Sequence, residues 1–157
     1  EAAERGTKII MVDPRFNATS HMATEWVPIR PGTDLALLLA IANVLVKDDL
    51  YDKEFVETMT EGFDEFADAI KDYTPKWAEE ITTIDADRIE GIAHTMAKHA
   101  PASSVEVSWR AAIGCSYENS LETSRMLTYV NALLGCYGKP GGQKFGDSPK
   151  LGGLEGP

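Results

Sequence analysis

Apolar residues in the first third of the chain gather into two short runs that predict β-strands. Residues 8–13 (KIIMVD) form a continuous apolar run that ends at an Asp-Pro pair, as expected of a buried strand in a parallel sheet. Residues 25–29 (EWVPI) form a second extended run, and Pro28 places it at an edge or an end of the sheet because proline cannot donate to a strand ladder. Further along, residues 104–109 alternate like a third strand.

Apolar positions elsewhere recur at helical spacing. Residues 34–47 are apolar nearly all round, so we expect this helix to be buried on most sides. Amphipathic patterns predict further helices over residues 52–59, 63–71 and 75–80, over the stretch that follows Asp85, and over 121–134, which stops at Gly135.

Three polar residues stand directly before predicted helices, at Thr33, Thr74 and Asp85. Side-chain oxygens in this position accept hydrogen bonds from the free N–H groups of the first turn, so each residue is predicted to cap its helix. The first six residues are typical of the last turn of a helix that stops at Gly6. We therefore expect this chain to be part of a longer protein.

Strands separated by helices predict the α/β class, with a Rossmann-like parallel sheet and flanking helices. Residues of about 52–100 carry only helical patterns, which predicts an all-helical insert. Residues 135–157 are rich in glycine and proline and predict a C-terminal connecting loop. We interpret residues 1–157 as a single α/β domain.

Composition narrows the classes of partner. Lys and Arg number 15 against 25 Asp and Glu, and the resulting net charge of −10 argues against a nucleic-acid partner or an anionic membrane surface. The apolar run over residues 35–46 is interrupted at Asn43 and is shorter than the roughly 20 residues of a membrane-spanning helix. We therefore expect no direct membrane insertion.

Motifs for metal binding and catalysis are missing from the sequence. Cys115 and Cys136 lie in no C-x-x-C pair, so a zinc or iron–sulfur site held by this chain alone is not expected, and both are interpreted as free, buried thiols. The first strand is not followed by G-x-G-x-x-G, and neither a P-loop nor a nucleophile elbow occurs. No catalytic residue and no metal ligand is predicted.

Ligands of parallel α/β sheets bind at the carboxyl ends of the strands. Three segments are predicted to lie there, over residues 13–16, 30–34 and 109–119. The Asp13 carboxylate either accepts hydrogen bonds from a ribose hydroxyl or a base amine, or it bonds to backbone N–H groups in the turn that Pro14 forces. The residues alone leave both interpretations open.

Asp34 stands at a helix start, where free N–H groups and the helix dipole favour negative charge. Capping alone would explain it, yet one carboxylate can also accept two hydrogen bonds, from the N1–H and the exocyclic amine of guanine. Arg15, Arg30 and Arg110 are placed around the same predicted sheet edge, where they either contact phosphates or form ordinary solvated faces and ion pairs.

Five segments occur in order along the chain: residues 8–16 (KIIMVDPRF), 25–37 (EWVPIRPGTDLAL), 50–56 (LYDKEFV), 73–81 (YTPKWAEEI) and 131–142 (NALLGCYGKPGG). Together they resemble the molybdopterin oxidoreductase (dimethyl sulfoxide reductase) family over essentially the whole chain. Trp109-Arg110 with residues 116–120 most resembles the branch of polysulfide, thiosulfate and arsenic-oxyanion reductases.

The resemblance implies that the chain is an internal domain of a catalytic subunit that holds bis(molybdopterin guanine dinucleotide) with molybdenum or tungsten. It implies that one guanosine end is contacted by Asp13, Pro14, Arg15, Gly32, Thr33 and Asp34, and that the loop with Arg110 and Ser116 approaches the pterin. The isolated fragment is then expected to be inactive.

For the parent protein, the resemblance implies a small sulfur or arsenic oxyanion as substrate and an iron–sulfur cluster outside this segment. It also implies contacts with the remaining domains of the same subunit, an iron–sulfur electron-transfer subunit as partner, and export to the periplasm or the cell-envelope face of a prokaryote. Two other functions remain open from the sequence: a stand-alone Rossmann-type nucleotide-binding module, and a structural domain that docks a redox partner subunit.

Overall fold

The computed structural model describes residues 2–106 and 117–144, which form seven α-helices and a two-stranded parallel sheet. The predicted α/β class is confirmed. After a single 3₁₀ turn at Ala3–Arg5, the elements in chain order are β1 (Ile10–Val12), α1 (Ala18–Met22), β2 (Glu25–Val27), α2 (Asp34–Lys47), α3 (Lys53–Met59), α4 (Phe63–Ile70), α5 (Pro75–Thr82), α6 (Ala86–His99) and α7 (Ser120–Leu133).

The two strands pair in parallel, with Met11 opposite Trp26 and Val12 opposite Val27. Both were predicted from short apolar runs, and both are shorter than those runs. Because the strands are parallel, the segments that follow them leave the same edge of the sheet. Asp13 extends the pairing by one step, since its backbone N–H donates to the Val27 carbonyl at 3.2 Å.

The prediction of a third strand over residues 104–109 is wrong for residues 104–106, and residues 107–109 lie outside the described part of the chain. An asparagine side chain takes the place of a neighbouring strand here. The Asn131 amide accepts from the Val105 N–H and donates to the Val105 carbonyl, both at 2.9 Å. The backbone groups are thus satisfied one residue at a time, without a ladder.

Helix α2 lies at the centre of the described fold and contacts α4, α5, α6 and α7. Nine of its fourteen residues are buried, as its uniformly apolar sequence predicted. One of the nine is Asn43, whose amide donates to the carbonyls of Ile70 and Lys71 at the end of α4. This polar residue therefore ties the central helix to a neighbouring helix end that would otherwise keep unpaired carbonyls.

Helices α2 and α7 run in the same direction. Near the N-termini of both helices, the Asn119 side chain donates to the Gly32 carbonyl at 3.4 Å. At their far ends, the Asp52 N–H donates to the Leu133 carbonyl at 2.7 Å. Gly135 ends α7 at φ +61°, and a Cβ there would stand 2.2 Å from an Asp52 carboxylate oxygen, so only glycine fits.

Helix caps only partly follow the sequence prediction. Thr74 caps α5 through its hydroxyl, which accepts from the Trp77 N–H at 3.2 Å. Thr33 and Asp85 occupy the cap positions of α2 and α6, but neither side chain makes a capping hydrogen bond. For Thr33 the reason is a competing acceptor, because its hydroxyl donates to the Arg30 carbonyl at 2.7 Å.

Residues 53–99 contain four helices, α3 to α6, in the region of the proposed helical insert. The division into domain, insert and connecting loop remains a prediction. Of the proposed loop, residues 135–144 are described and include a bridge between Tyr137 and Gln143, while 145–157 lie outside. Over the described ranges, no helix is both long and apolar enough to cross a membrane.

Candidate functional site

The turn after β1 is built around Asp13. One carboxylate oxygen accepts from the Arg15 N–H at 2.7 Å, and the other accepts from the Asn17 side-chain amide at 3.0 Å. The Trp26 indole N–H donates to the Asp13 carbonyl at 2.9 Å. Of the two interpretations left open by the sequence, the structure shows the turn: both oxygens of this carboxylate already have donors.

Pro14 and Arg15 form the exposed outer part of this turn. The Arg15 side chain makes no ion pair with any described residue, so its guanidinium is available at the carboxyl end of β1. The Phe16 ring lies edge-on against Trp26, with centroids 5.3 Å apart, and remains 56% exposed. The turn therefore presents one cation and one aromatic ring to its surroundings.

The segment after β2 forms a second turn that leads into α2. The Arg30 backbone N–H donates to the Thr82 carbonyl at 3.0 Å, which ties the turn to the end of α5. The Thr33 N–H and hydroxyl both donate to the Arg30 carbonyl. Gly32 between them has φ +81°, a left-handed conformation that favours glycine. Like Arg15, the Arg30 side chain forms no ion pair within residues 2–106 and 117–144.

Asp34 is the first residue of α2, and its environment differs from that of Asp13. Burial raises the pKa of the Asp34 carboxyl above its usual range, and a hydrogen bond with its own backbone N–H opposes the shift. No other described residue donates to this carboxylate. Within the described residues, the Asp34 carboxylate thus accepts from its own backbone N–H alone, and it lies in a half-buried position where a ligand carrying N–H groups would find little competition from water.

A second stretch of chain joins the turn at Gly32. If Gly32 carried a Cβ, that atom would lie 3.1 and 3.2 Å from two carbons of the Tyr117 ring, so the ring packs directly on the glycine. The Asn119 amide reaches the Gly32 carbonyl. Tyr117 and Asn119 belong to the third segment predicted at this edge, although the sequence analysis did not single them out. Arg110 and Ser116, which were predicted to approach the pterin, lie outside the described residues.

The position of Tyr117 could not be found from periodicity, because it precedes α7 in a segment without regular structure. The sequence does contain one relevant signal: Asn119 and Ser120 are residue types that commonly begin a helix, and they stand at the start of the apolar pattern of α7. The Ser120 hydroxyl accepts from the Tyr117 N–H at 3.1 Å, so the residue is fixed to the first turn of α7.

Two helix starts meet at this place. Helices α2 and α7 each have fourteen residues, run in the same direction and begin on either side of Gly32. Each presents the positive end of its dipole, which favours an anion, although several first-turn N–H groups already have partners: Ala36 donates to the Thr33 carbonyl and Ser120 to the Tyr117 carbonyl. With Arg15 and Arg30 at the same edge of the sheet, the arrangement can hold phosphate groups, while the Asp34 carboxylate can accept from a base.

Other cavities of the described chain differ in chemistry from this edge. A polar pocket at the start of α6 contains Lys76 and Arg88, and both cations already pair with carboxylates. A cavity of about 230 Å³ lies between α3, α4 and α7, lined mainly by apolar side chains that include Phe63, Phe66 and Tyr129. It borders Leu133, at the opposite end of α7 from Tyr117. No group of three His, Cys, Asp or Glu residues within 2–106 and 117–144 is arranged to hold a metal ion.

Cys136 is a free, fully buried thiol, as the sequence predicted, and burial raises the pKa of that thiol. Its Sγ donates to the Asn131 carbonyl at 3.2 Å. A protonated, buried sulfur is a poor nucleophile and a poor metal ligand. Cys115 lies outside the described residues.

Comparisons with known proteins agree on one family. A sequence model described as "Molybdopterin oxidoreductase" matches residues 1–147. The molybdopterin-containing subunit of thiosulfate reductase from Salmonella typhimurium is 39% identical, over 90% of this chain and 18% of the relative. The corresponding subunit of arsenate respiratory reductase from Shewanella sp. is 35% identical, over 92% of this chain and 19% of the relative.

The fold comparison points the same way. The solved structure of acetylene hydratase from Pelobacter acetylenicus superimposes with a TM-score of 0.77 at 35% identity, and the match covers 86% of this chain and 18% of that chain. The chain therefore spans about a fifth of the length of the relatives it matches.

Proposed function

This chain belongs to the molybdopterin oxidoreductase family, and on that premise we propose that it binds the guanosine end of a molybdopterin guanine dinucleotide. Membership implies a molybdopterin cofactor. The dinucleotide form, the presence of two such cofactors and the choice of molybdenum or tungsten are part of the proposal. When bound, the cofactor supplies the redox or atom-transfer chemistry, and the residues described above supply binding and orientation.

The observation that carries the proposal is the contrast between the two aspartates at the sheet edge. Asp13 already bonds to Arg15 and Asn17 through both oxygens. Asp34 is half-buried, has a raised pKa and has only its own N–H as a described donor. Guanine offers an N1–H and an amine side by side, which match the two oxygens of one carboxylate. These bonds would offset the cost of burying the charge.

The surroundings of Asp34 fit the remainder of a nucleotide. The N-termini of α2 and α7 meet at Gly32, and Arg15 and Arg30 lie at the same sheet edge without described ion pairs. We assign the diphosphate to this cationic region. Pro14 and Thr33 then act by shaping the two turns.

For the parent protein, we propose an enzyme that reduces or oxidises a small sulfur or arsenic oxyanion. The support is that relatives include proteins named as thiosulfate reductase and arsenate respiratory reductase. Proteins named as formate dehydrogenase and acetylene hydratase are nearly as similar, at 37% identity, so purified parent enzyme must be assayed with thiosulfate, arsenate and formate as competing substrates. The proposal also includes an iron–sulfur partner subunit and a location at the cell envelope.

The binding proposal is tested by titrating the ¹⁵N-labelled chain with GDP, with ADP and NAD as controls. We expect selective shifts of backbone amides around residues 13–15 and 32–34 with GDP, and their loss in Asp34→Ala. The matched control is Asp85→Ala, because Asp85 also stands at a helix start without a capping bond and lies outside the site. Unchanged GDP binding in Asp34→Ala contradicts the proposal.

The two alternative functions predict different results in the same titration. Equal responses to GDP, ADP and NAD favour a general nucleotide-binding module. If the chain ignores all three nucleotides but binds an iron–sulfur partner protein, a docking domain is favoured instead.

A further inference from the structure

We propose that the Tyr117 ring is the platform on which the purine base stacks, so that Tyr117 and Asp34 together select and hold the base. This inference rests on the proposed binding of a guanosine group at the same site. It assigns to an aromatic side chain a role that neither the sequence motifs nor the family match indicates.

The first argument is the position of the ring. Three ring carbons of Tyr117 lie 3.1 to 3.7 Å from the position that a Gly32 Cβ would take. Asp34 is only two residues further along, so its Cα lies within about 7 Å of the Gly32 Cα. The ring and the carboxylate therefore border the same short turn. In the proposed arrangement, a base whose edge bonds to Asp34 lays its face on the ring of Tyr117.

The second argument is exposure. The Tyr117 side chain rests on Gly32, yet the residue is 41% exposed. An exposed aromatic surface beside a carboxylate is a common feature of binding sites, since one part supplies contact area and the other supplies direction. Every base has a π-face, and stacking on an aromatic side chain contributes about 1–3 kcal/mol per base.

The third argument is that the ring is held in place before any ligand binds. The Tyr117 N–H donates to the Ser120 hydroxyl, and the Tyr117 carbonyl accepts from the Ser120 N–H, both at 3.1 Å. Asn119, between them, donates to the Gly32 carbonyl. The backbone of Tyr117 is thus fixed both to α7 and to the turn before α2. A fixed platform loses little conformational entropy on binding.

A chemical distinction separates the two roles. Stacking depends on the ring face and is insensitive to the exocyclic amine of guanine, whereas the Asp34 carboxylate distinguishes guanine from hypoxanthine, which lacks that amine. The affinity for inosine diphosphate (IDP) therefore measures stacking on Tyr117 without the contact between the exocyclic amine and Asp34. The phosphates are the same in GDP and IDP, so their contribution cancels in the ratio of the two affinities.

The test measures dissociation constants of GDP and IDP for the chain by isothermal titration calorimetry. We expect Tyr117→Leu to weaken both nucleotides by the same factor, roughly 5- to 150-fold, and Tyr117→Phe to change neither by more than about threefold, because the ring is retained. Asp34→Asn should instead reduce the preference for GDP over IDP. The matched control is Tyr129→Leu, since Tyr129 is a 44% exposed tyrosine in α7, packed on Phe66 away from the site.

Each outcome separates this inference from the proposed function. If Tyr117→Leu binds GDP as the unaltered chain does while Asp34→Asn loses the preference for GDP, the platform is overturned and the proposed function stands. If the unaltered chain binds neither nucleotide, both fall. Circular dichroism of Tyr117→Leu checks whether the variant is folded. If it is unfolded, Tyr117→Phe decides the question. Loss of nucleotide binding in a folded phenylalanine variant also overturns stacking.

Discussion

Asp34 is held in the folded chain at a cost in free energy, because burial disfavours the charged carboxyl more than its one backbone hydrogen bond favours it. Asp13, a residue of the same type at the same sheet edge, bonds through both oxygens. The difference lies in the neighbours. The turn after β1 brings an N–H and an amide to Asp13, while the start of α2 brings only one N–H to Asp34.

The raised pKa of Asp34 predicts a pH-dependent effect on stability. A carboxyl with a higher pKa in the folded chain than in the unfolded chain lowers stability above its folded pKa, and this penalty disappears below its unfolded pKa. Asp34→Asn should therefore raise the free energy of unfolding at neutral pH. The gain should shrink as the pH falls through the raised pKa of Asp34. Urea unfolding of both proteins across that range measures it, and an equal gain at all pH values would contradict the assignment.

Gly32→Ala is predicted to destabilise the chain by about 1–3 kcal/mol, because alanine disfavours a positive φ and its Cβ presses on the Tyr117 ring. Gly91→Ala is the matched control. Gly91 lies in α6, and a Cβ added there would have no neighbouring atom within 4 Å, so alanine should stabilise the helix by about 0.5–1 kcal/mol. Opposite signs in urea unfolding support this interpretation of Gly32, and equal effects contradict it.

Residue types at the sheet edge could be read from the sequence, but their partners could not. Asp13 follows a predicted strand and Asp34 begins a predicted helix, and for each the sequence leaves open whether its oxygens already have donors. The Asn17 amide donates to Asp13, whereas no described side chain donates to Asp34, and these contacts arise only when the chain is folded. Tyr117 was missed for the same reason, since its contact with Gly32 joins distant parts of the chain.

Helix α7 packs against α2 and also binds the segment around Val105. Its Asn131 side chain accepts from the Val105 N–H and donates to the Val105 carbonyl, as a neighbouring strand would. A residue with a paired donor and acceptor is needed for this. The amide group is fully buried, and its partner segment has no ladder of its own. The Asn131 side chain therefore holds the backbone of the segment before residue 107, to which the Gln143 amide adds a hydrogen bond with the Glu106 carboxylate.

Removing that amide should detach the segment. Asn131→Ala is expected to lower the free energy of unfolding by about 1–3 kcal/mol, since both Val105 backbone groups lose their partners, and to speed hydrogen exchange of the Val105 amide. The control is Thr128→Ala on the same helix, an exposed residue whose hydroxyl bonds only to the Ser124 carbonyl. Unchanged exchange at Val105 in Asn131→Ala would show that the segment is held in another way.

Elements with an apolar run or a helical period, including the short strands and α3 to α5, were predicted to within two residues, whereas α1 and the end of the pattern at residues 104–106 were not. The bounds of α2 follow from its continuous apolar composition, and those of α7 differ from the prediction by one residue at each end. Helix α1 has only five residues, too few for a periodic signal, and depends on Asn17, whose side chain accepts from the N–H groups of Thr19 and Ser20. Residues 104–106 alternate like a strand, but the backbone of Val105 bonds to the Asn131 side chain and not to a neighbouring strand.

The described molecule is organised around one buried helix. The core contains Leu45, which is fully buried in α2, and the surrounding helices place their apolar faces on the same centre. The class of the fold was predictable because apolar runs and helical periods alternate along the chain. The direction of α2 relative to α7 was not, since it depends on contacts between residues far apart in sequence.

Leu45→Ala is predicted to destabilise the whole described fold by about 2–5 kcal/mol, through lost apolar burial and the cavity left behind. The matched control is Leu121→Ala, because Leu121 is 66% exposed and its truncation should change stability by less than about 0.5 kcal/mol. The measurement is the unfolding midpoint in urea. A small effect at Leu45 would mean that α2 is not the centre of the core.

The contact between Asn119 and Gly32 joins residues 87 positions apart. Closing so long a loop is entropically unfavourable until many other contacts exist, so this contact belongs to a late stage of folding. A partly folded chain in which only the turn before α2 has formed has Asp34 in place but lacks the Tyr117 ring beside it. Recovery of nucleotide affinity during refolding should therefore lag behind the recovery of helix content, which makes the ligand a reporter of chains that have completed their folding.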